Sequence, residues 1–327
     1  VHRGGRSRQV VSISRDIRTR IDHGNGSHRI RQVAQGGDIA VIPGAFEYHR
    51  PASLAEATGL LIELGDDARV LAGGHSLIPM MKLRMAAPSH LVDLQDIAEL
   101  RGIARDGGEI VIGAMTTQHE LIASAELAAA IPLIREAALL IADPQVRYVG
   151  TIGGNVANGD PGNDLPGLMQ CLGARYELVG PNGRRNVAAR EFYQSAYVTA
   201  AADDEILGRI RIPVPAPGHG YAYEKLKRKI GDYATAAAAV LLTVSGGRCQ
   251  SAAVAMTNLS DTPVFAAAAG TALAGSNLGG GAIDAAVAAA LAAIDPAADN
   301  RGPVAFKQHV AGVILRRAIA RAASRAQ

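Results

Sequence analysis

The apolar and polar positions of this chain fall into short runs with two different periods. Phe46 to His49, Ala68-Arg69-Val70-Leu71 and Leu91-Val92-Asp93-Leu94 have the length and β-branched character of strands. Between the first two, Ser53-Leu54-Ala55-Glu56 is a capping-box pattern that opens a helix through Leu64, and Gly65 stops it. This β-α-β opening predicts a small α/β subdomain over residues 41–100. Glu109 to Ala114 starts a second one, residues 101–217. It continues with a helix start at Thr117-Gln118, an Ala-rich helical pair to Ile141 and a helix from Pro166 to Leu172. Arg175 to Val179 and Glu205 to Ile212 then alternate as strands, joined by a Pro181-Asn182-Gly183 turn. The proline-rich segment Pro213 to Gly218 marks a boundary. Beyond it, residues 218–327 predict strands at Tyr221 to Lys227, Ala237 to Ser245 and Gln250 to Met256. Alanine-rich helical sequence follows from Pro263, broken near Gly279 to Gly281 and Pro296. The fold class is α+β, ending in a smaller domain with an antiparallel sheet and helices.

Two glycine-bearing stretches interrupt this pattern. The run ending at Leu71 delivers Ala72-Gly73-Gly74-His75-Ser76, and residues 150–164 read GTIGGNVANGDPGND, with five glycines and nothing bulkier than isoleucine and valine. Glycine lets backbone N–H groups turn toward an anion and approach it closely, which phosphates favour. Ser76 stands at an N-cap position ahead of Leu77 to Met85, so a helix dipole is expected to face the same anion. Thr151 can offer a hydroxyl. Asn155, Asn158, Asp160, Asn163 and Asp164 add amides and carboxylates suited to ribose hydroxyls or an adenine edge. Either stretch alone is more simply an ordinary polar turn, whereas two together suit a diphosphate.

Composition removes several function classes. The chain has 327 residues, 48% of them hydrophobic, with 4% aromatics and no tryptophan. That suits about two domains of ~150 residues, packed mainly by Ala, Val, Leu and Ile. No apolar run reaches the ~20 residues of a transmembrane helix. The net charge of +3 is uneven: residues 1–40 hold eight arginines and three acids, and the remainder is slightly acidic. The basic balance therefore belongs to that stretch and does not point to nucleic acid. Cys171 and Cys249 are too few to ligate an iron–sulfur cluster and are expected to be reduced thiols. The nine histidines lack paired spacing, so no metal site is predicted. With no Ser-His-Asp arrangement or carboxylate pair, no catalytic residue is assigned.

AGGHSLIPMMKLRM followed by TIGGNVANGDPGND resembles the FAD-binding medium subunits of the molybdenum hydroxylases. The nearest branch is aerobic carbon monoxide dehydrogenase, and the likeness runs from about Ile42 to the C-terminus. The resemblance implies a two-subdomain FAD-binding domain of the vanillyl-alcohol-oxidase (PCMH) type at residues 41–217, followed by the flavoprotein's C-terminal domain. It implies FAD held by Ala72, Gly73, Gly74, His75, Ser76, Thr151, Ile152, Gly153, Gly154, Asn155, Asp164 and Tyr233. Tyr233 would lie against the isoalloxazine ring. Asp164 would contact the nucleotide or, equally, cap the following helix. A histidine after Gly-Gly anchors flavin covalently in berberine-bridge-type oxidases. Here Leu77-Ile78-Pro79-Met80-Met81-Lys82 follows, the dehydrogenase-subunit pattern, so FAD is expected without a covalent bond. Thr235 stands where xanthine-oxidising relatives carry lysine, which argues against that branch. The basic cluster Lys225, Lys227, Arg228 and Lys229 reads as a solvated edge, or as facing a phosphate or partner.

The implied assembly is a dimer of heterotrimers with a large molybdenum-pterin subunit and a small [2Fe-2S] subunit, passing electrons through FAD to a quinone or other acceptor. Its implied place is the cytoplasm, or the inner face of the membrane through its partners. The family begins near Val41, so residues 1–40 are expected to be a misassigned start or a disordered extension. Replacing Gly153 or Gly74 by valine is expected to expel flavin while the core survives. A self-contained flavin oxidase and a non-redox nucleotide-binding module remain as alternatives.

Overall fold

The computed structural model describes residues 10–14, 17–24, 27–32 and 42–326. Strands β1 (Val10–Ser14), β2 (Ile17–Gly24) and β3 (Ser27–Gln32) pair antiparallel in series, and β3 pairs with β4 (Phe46–His49). The expected misassigned or disordered extension overlaps these three segments; its other residues, and Val41, lie outside the described ones. Helix α1 (Leu54–Leu64) opens where its cap predicted. Ser53 Oγ accepts the Glu56 N–H at 3.2 Å, but the Glu56 carboxylate takes the Ala52 N–H at 2.8 Å, one residue before the box position. Gly65, at φ 54°, ends the helix in a conformation that glycine adopts without strain.

Strand β5 (Ala68–Leu71), helix α2 (Leu77–Lys82) and β6 (His90–Asp93) complete this subdomain. β4 and β5 both pair parallel to β6, as helical crossovers require. Leu54, Ala57 and Leu61 of α1 pack with Val92, Leu94 and Ile97.

The second subdomain opens with β7 (Ile103–Asp106) and β8 (Glu109–Gly113). The expected helical pair is three helices, α3 (Gln118–Ala123), α4 (Ala125–Ala130) and α5 (Pro132–Ala138). Ser124 ends one and caps the next, and Pro132 at a first helical position starts the third. Then come α6 (Pro144–Val149), α7 (Ile152–Ala157) and α8 (Asp164–Cys171). The 181–183 turn joins β9 (Arg175–Gly180) to β10 (Gly183–Ala188), a strand that the alternation did not reveal. β11 (Tyr193–Ser195) and β12 (Val198–Thr199) form a small ribbon before β13 (Ile206–Pro213). The sheet order is β10-β9-β13-β8-β7, antiparallel throughout. Ile110, Ile112, Tyr176 and Ile210 fill its core with Ile134 and Leu168 from the helices.

The third region pairs β14 (Gly220–Leu226), β15 (Ala236–Ser245), β16 (Arg248–Thr257) and β17 (Val264–Phe265) in order, all antiparallel. α9 (Ala267–Leu273) and α11 (Val304–Arg325) cover one face, and α10 (Gly280–Ala293) packs against both helices. β15 shows why alanine is so common here. Ala236, Ala238 and Val240 face α11, whereas Ala237 and Ala239 join the core of the second subdomain. A strand buried on both faces needs small apolar side chains on both. Among the described residues no helix is long and apolar enough to cross a membrane.

Candidate functional site

A cavity of about 780 Å³ lies where the three regions meet, and both glycine-bearing stretches line it. The first begins where β5 ends and Leu94 N–H bonds Leu71 O at 3.0 Å. A Cβ on Gly73 would lie 2.3 Å from Val149 O and 2.9 Å from Gly150 Cα, so the missing side chain lets the two stretches touch. Gly74 has φ +74°. Among the described residues no protein acceptor takes the N–H groups of Gly73, Gly74, His75 or Ser76. Ala72, Gly73, Gly74, His75 and Ser76 all line the cavity, so these donors form the cluster an anion would use. Ser76 does not cap: it has helical backbone (φ −99°, ψ −52°) and no side-chain hydrogen bond. α2 also ends at Lys82, short of the expected Met85.

The second stretch differs from the expected phosphate loop. It is helical, and Thr151 is the N-cap of α7, accepting Gly154 N–H at 3.1 Å. The neighbouring donors are also used: Ile152 N–H bonds Thr116 O at 2.9 Å, Gly153 N–H bonds Ala114 O at 2.8 Å, and Asn155 N–H bonds Thr151 O at 3.1 Å. Gly153 is glycine because of the protein, not a ligand. A Cβ there would lie 2.5 Å from Ala114 Cβ and 2.7 Å from Ala114 O, at the end of β8. The expectation that valine at Gly153 spares the core is therefore corrected. A Cβ on Gly154 would meet Thr151 Oγ1 at 2.9 Å and Ala72 Cβ at 3.2 Å. Ile152 is wholly buried in the core of the second subdomain and does not line the cavity. Thr151, Gly153, Gly154 and Asn155 do line it.

Asp164 is the first residue of α8, with Asn163 at the N-cap position. Its carboxylate accepts Tyr223 Oη–H at 2.6 Å and Lys225 Nζ–H at 2.7 Å. The Asp164 and Lys225 side chains are only 6% and 1% exposed. Lys225 is thus a buried counter-ion lining the cavity, not part of a solvated edge. Burial, with Asp164 second, holds the Tyr223 hydroxyl neutral well above its ordinary range. Lys227 donates to Leu140 O at 3.0 Å, and burial followed by the neighbouring Lys225 lowers its pKa. Arg228 pairs with Asp232 at 2.9 Å, and Lys229 is exposed.

Tyr233 lines the cavity beyond the left-handed Gly231 and is 40% exposed. Burial, then Asp160, raises its pKa. Thr235 is buried.

Sequence reading missed Gln118, whose only visible signal was a helix start, and Tyr197, which lines the cavity from a turn at φ 62°. Gln118 Oε1, Asn155 Oδ1 and Asn158 Nδ2 are buried and have no partner among the described residues. All three residues line the cavity. Leaving such groups unsatisfied costs roughly 1–3 kcal/mol each, so they await a polar ligand or water. Free backbone donors at one side, unpartnered amides and an aromatic ring together fit a flavin dinucleotide.

The comparisons agree. The family described as the FAD binding domain in molybdopterin dehydrogenase matches residues 44–215, and the CO dehydrogenase flavoprotein C-terminal domain matches residues 221–322. Over 287 residues the chain is 63% identical to the carbon monoxide dehydrogenase medium chain of Afipia carboxidovorans, covering 88% of this chain and 100% of that one. It is 48% identical over 279 residues to the carbon monoxide dehydrogenase medium chain of Hydrogenophaga pseudoflava, covering 85% and 97%. It superimposes on a crystal structure of Cu,Mo-CO dehydrogenase with a TM-score of 0.86 and 64% identity, covering 87% of this chain and 100% of that chain. Quinoline 2-oxidoreductase from Pseudomonas putida 86 gives a TM-score of 0.82 at 34% identity, covering 86% and 97%.

Proposed function

The chain belongs to the FAD-binding subunits of the molybdopterin dehydrogenases, and from that premise we propose that it is the medium subunit of an aerobic carbon monoxide dehydrogenase. The observation that carries this reading is the cavity between the three regions, where four unclaimed backbone donors of Gly73 to Ser76 face the same space as Thr151, Asn155 and Tyr233. In this reading the first turn holds the diphosphate. Thr151 Oγ1 accepts from Gly154, so its hydroxyl proton stays free to donate to the same group. Gln118, Asn155 and Asn158 supply amides to the nucleotide. Tyr233 covers the ring, and the Asp164–Lys225 pair stiffens the wall beside it.

When bound, FAD supplies the redox chemistry, since it can take up electrons singly and give them up in pairs. The chain binds it, orients it and keeps stray oxidants away. By the resemblance, a small [2Fe-2S] subunit would supply the electrons and a large molybdenum-pterin subunit would stand before it, in a dimer of heterotrimers, with a quinone or other acceptor receiving them; this chain's own part would be to hold and orient the flavin between them.

Anaerobic spectroscopy tests this relay. Carbon monoxide should bleach the flavin of the chain copurified with its partners and leave that of the isolated chain oxidised. Bleaching in isolation would instead indicate a self-contained oxidase, and a colourless preparation a nucleotide-binding module. Acid precipitation should release yellow FAD into the supernatant. Colour kept in the pellet would make His75, which lines the cavity, a covalent anchor.

A further inference from the structure

Away from the cavity, among the described residues, one set of side chains brings metal-ligating atoms together. β4 and β6 run parallel with Glu47 opposite His90 and His49 opposite Val92. Side chains alternate across a sheet, so Glu47 and His49 share a face, and the register carries His90 to it. His49 Nε2 and His90 Nδ1 share a hydrogen bond at 3.1 Å, whose proton a metal ion would displace, and His90 Nδ1 lies 3.9 Å from Glu47 Oε2. All three atoms fall within 4.8 Å of one another. The spacing conceals this in the sequence, because the two histidines are 41 positions apart.

Two imidazole nitrogens and a carboxylate oxygen are the donor types of three-ligand zinc sites that keep a fourth position for water. With metal–ligand bonds of ~2.0–2.1 Å, tetrahedral ligand atoms stand about 3.3 Å apart. The two nitrogens are already close to that, and the Glu47 oxygen lies within 4.8 Å of both. His49 is 7% exposed, so little water competes for its ring nitrogens. The Glu63 carboxylate on α1 adds negative potential at His49. Imidazole donors suit zinc better than magnesium or calcium.

We propose that Glu47, His49 and His90 form a zinc site that ties β4 to β6. It sits at the end of β6 where His90 faces Ala68, the opposite end from the Leu71–Asp93 pair that precedes the first glycine turn. Its effect is on the stability of the first subdomain rather than on flavin binding.

The test is titration of zinc chloride into the untagged full-length chain after chelator treatment, read by calorimetry and thermal melting. One zinc per chain should bind with micromolar affinity and raise Tm. A His49→Gln/His90→Gln variant should bind at least tenfold more weakly, with unchanged FAD content. Histidines elsewhere in the chain contribute equally to both proteins and cancel. Cobalt in place of zinc should show the visible absorption of a four-coordinate site. If the double variant does not fold, Glu47→Gln, which leaves both rings in place, should still weaken binding about tenfold. Equal zinc binding or equal Tm response in the native chain and the folded variant would overturn the proposal.

Discussion

The two glycine-rich turns, Ala72–Ser76 and Gly150–Asn155, are close in composition and meet at one cavity, yet they spend their glycines differently. In the first, the backbone donors of four successive residues have no protein acceptor among the described residues, and Gly74 sits at φ +74°. In the second, the donors of Ile152 through Asn155 are all taken by Thr116, Ala114 and Thr151. Gly153 is there so that α7 can lie on Ala114. Glycine content alone reports that a backbone comes close to something. What it comes close to, ligand or protein, is decided by where the N–H groups go.

The largest effect should come just beyond the second turn. Asp164→Ala would leave the Lys225 ammonium buried without its counter-ion, at a cost of roughly 3–5 kcal/mol; urea unfolding should show that loss, and Asp164→Ala with Lys225→Met should recover much of it. Gly153→Val forces a branched side chain into Ala114 and should lower stability by about 3 kcal/mol, seen as reduced Tm and soluble yield. A Gly153→Val protein of native stability with weak flavin would return this turn to the phosphate-loop reading. Gly74→Ala should behave in the opposite way. Its Cβ meets Ile78 Cδ1 at 2.7 Å, the far end of a flexible side chain, so the main cost is the strain of a side chain at φ +74°, about 1–2 kcal/mol. Distorting donors aimed at a charged group should still weaken FAD binding about tenfold, measured by fluorescence titration. The smallest change is Thr151→Ala, which removes the α7 cap at a cost of about 1 kcal/mol, with Thr151→Ser restoring it.

Sequence patterns made the framework legible wherever periodicity and punctuation agreed. β4, α1 and its Gly65 stop, β9 and the β15–β16 hairpin fall close to where alternation and turn residues put them. β10 was hidden because GRRNVA faces solvent over most of its length and lacks an apolar alternation. α7 was hidden because IGGNVA has the low helix propensity of a loop, and its helix is imposed by the Thr151 cap and by packing on Ala114. The site showed the same division. The first turn's residues line the cavity, whereas Ile152 packs in the core. Lys225 looked like one more surface lysine in a basic run until β14 placed it on Asp164, 61 residues away in sequence. Long-range pairing of that kind leaves no local trace.

Residue-resolved amide hydrogen exchange, on the chain stripped of flavin and again after reloading with FAD, tests the contrast between the turns most directly. Exchange at Gly73 to Ser76 should be fast in the stripped chain and strongly slowed once FAD is bound, while Gly153 and Asn155 are protected in both. Slow exchange at Gly73 to Ser76 without flavin, or protection that FAD confers chiefly on Ile152 to Asn155, would contradict this contrast.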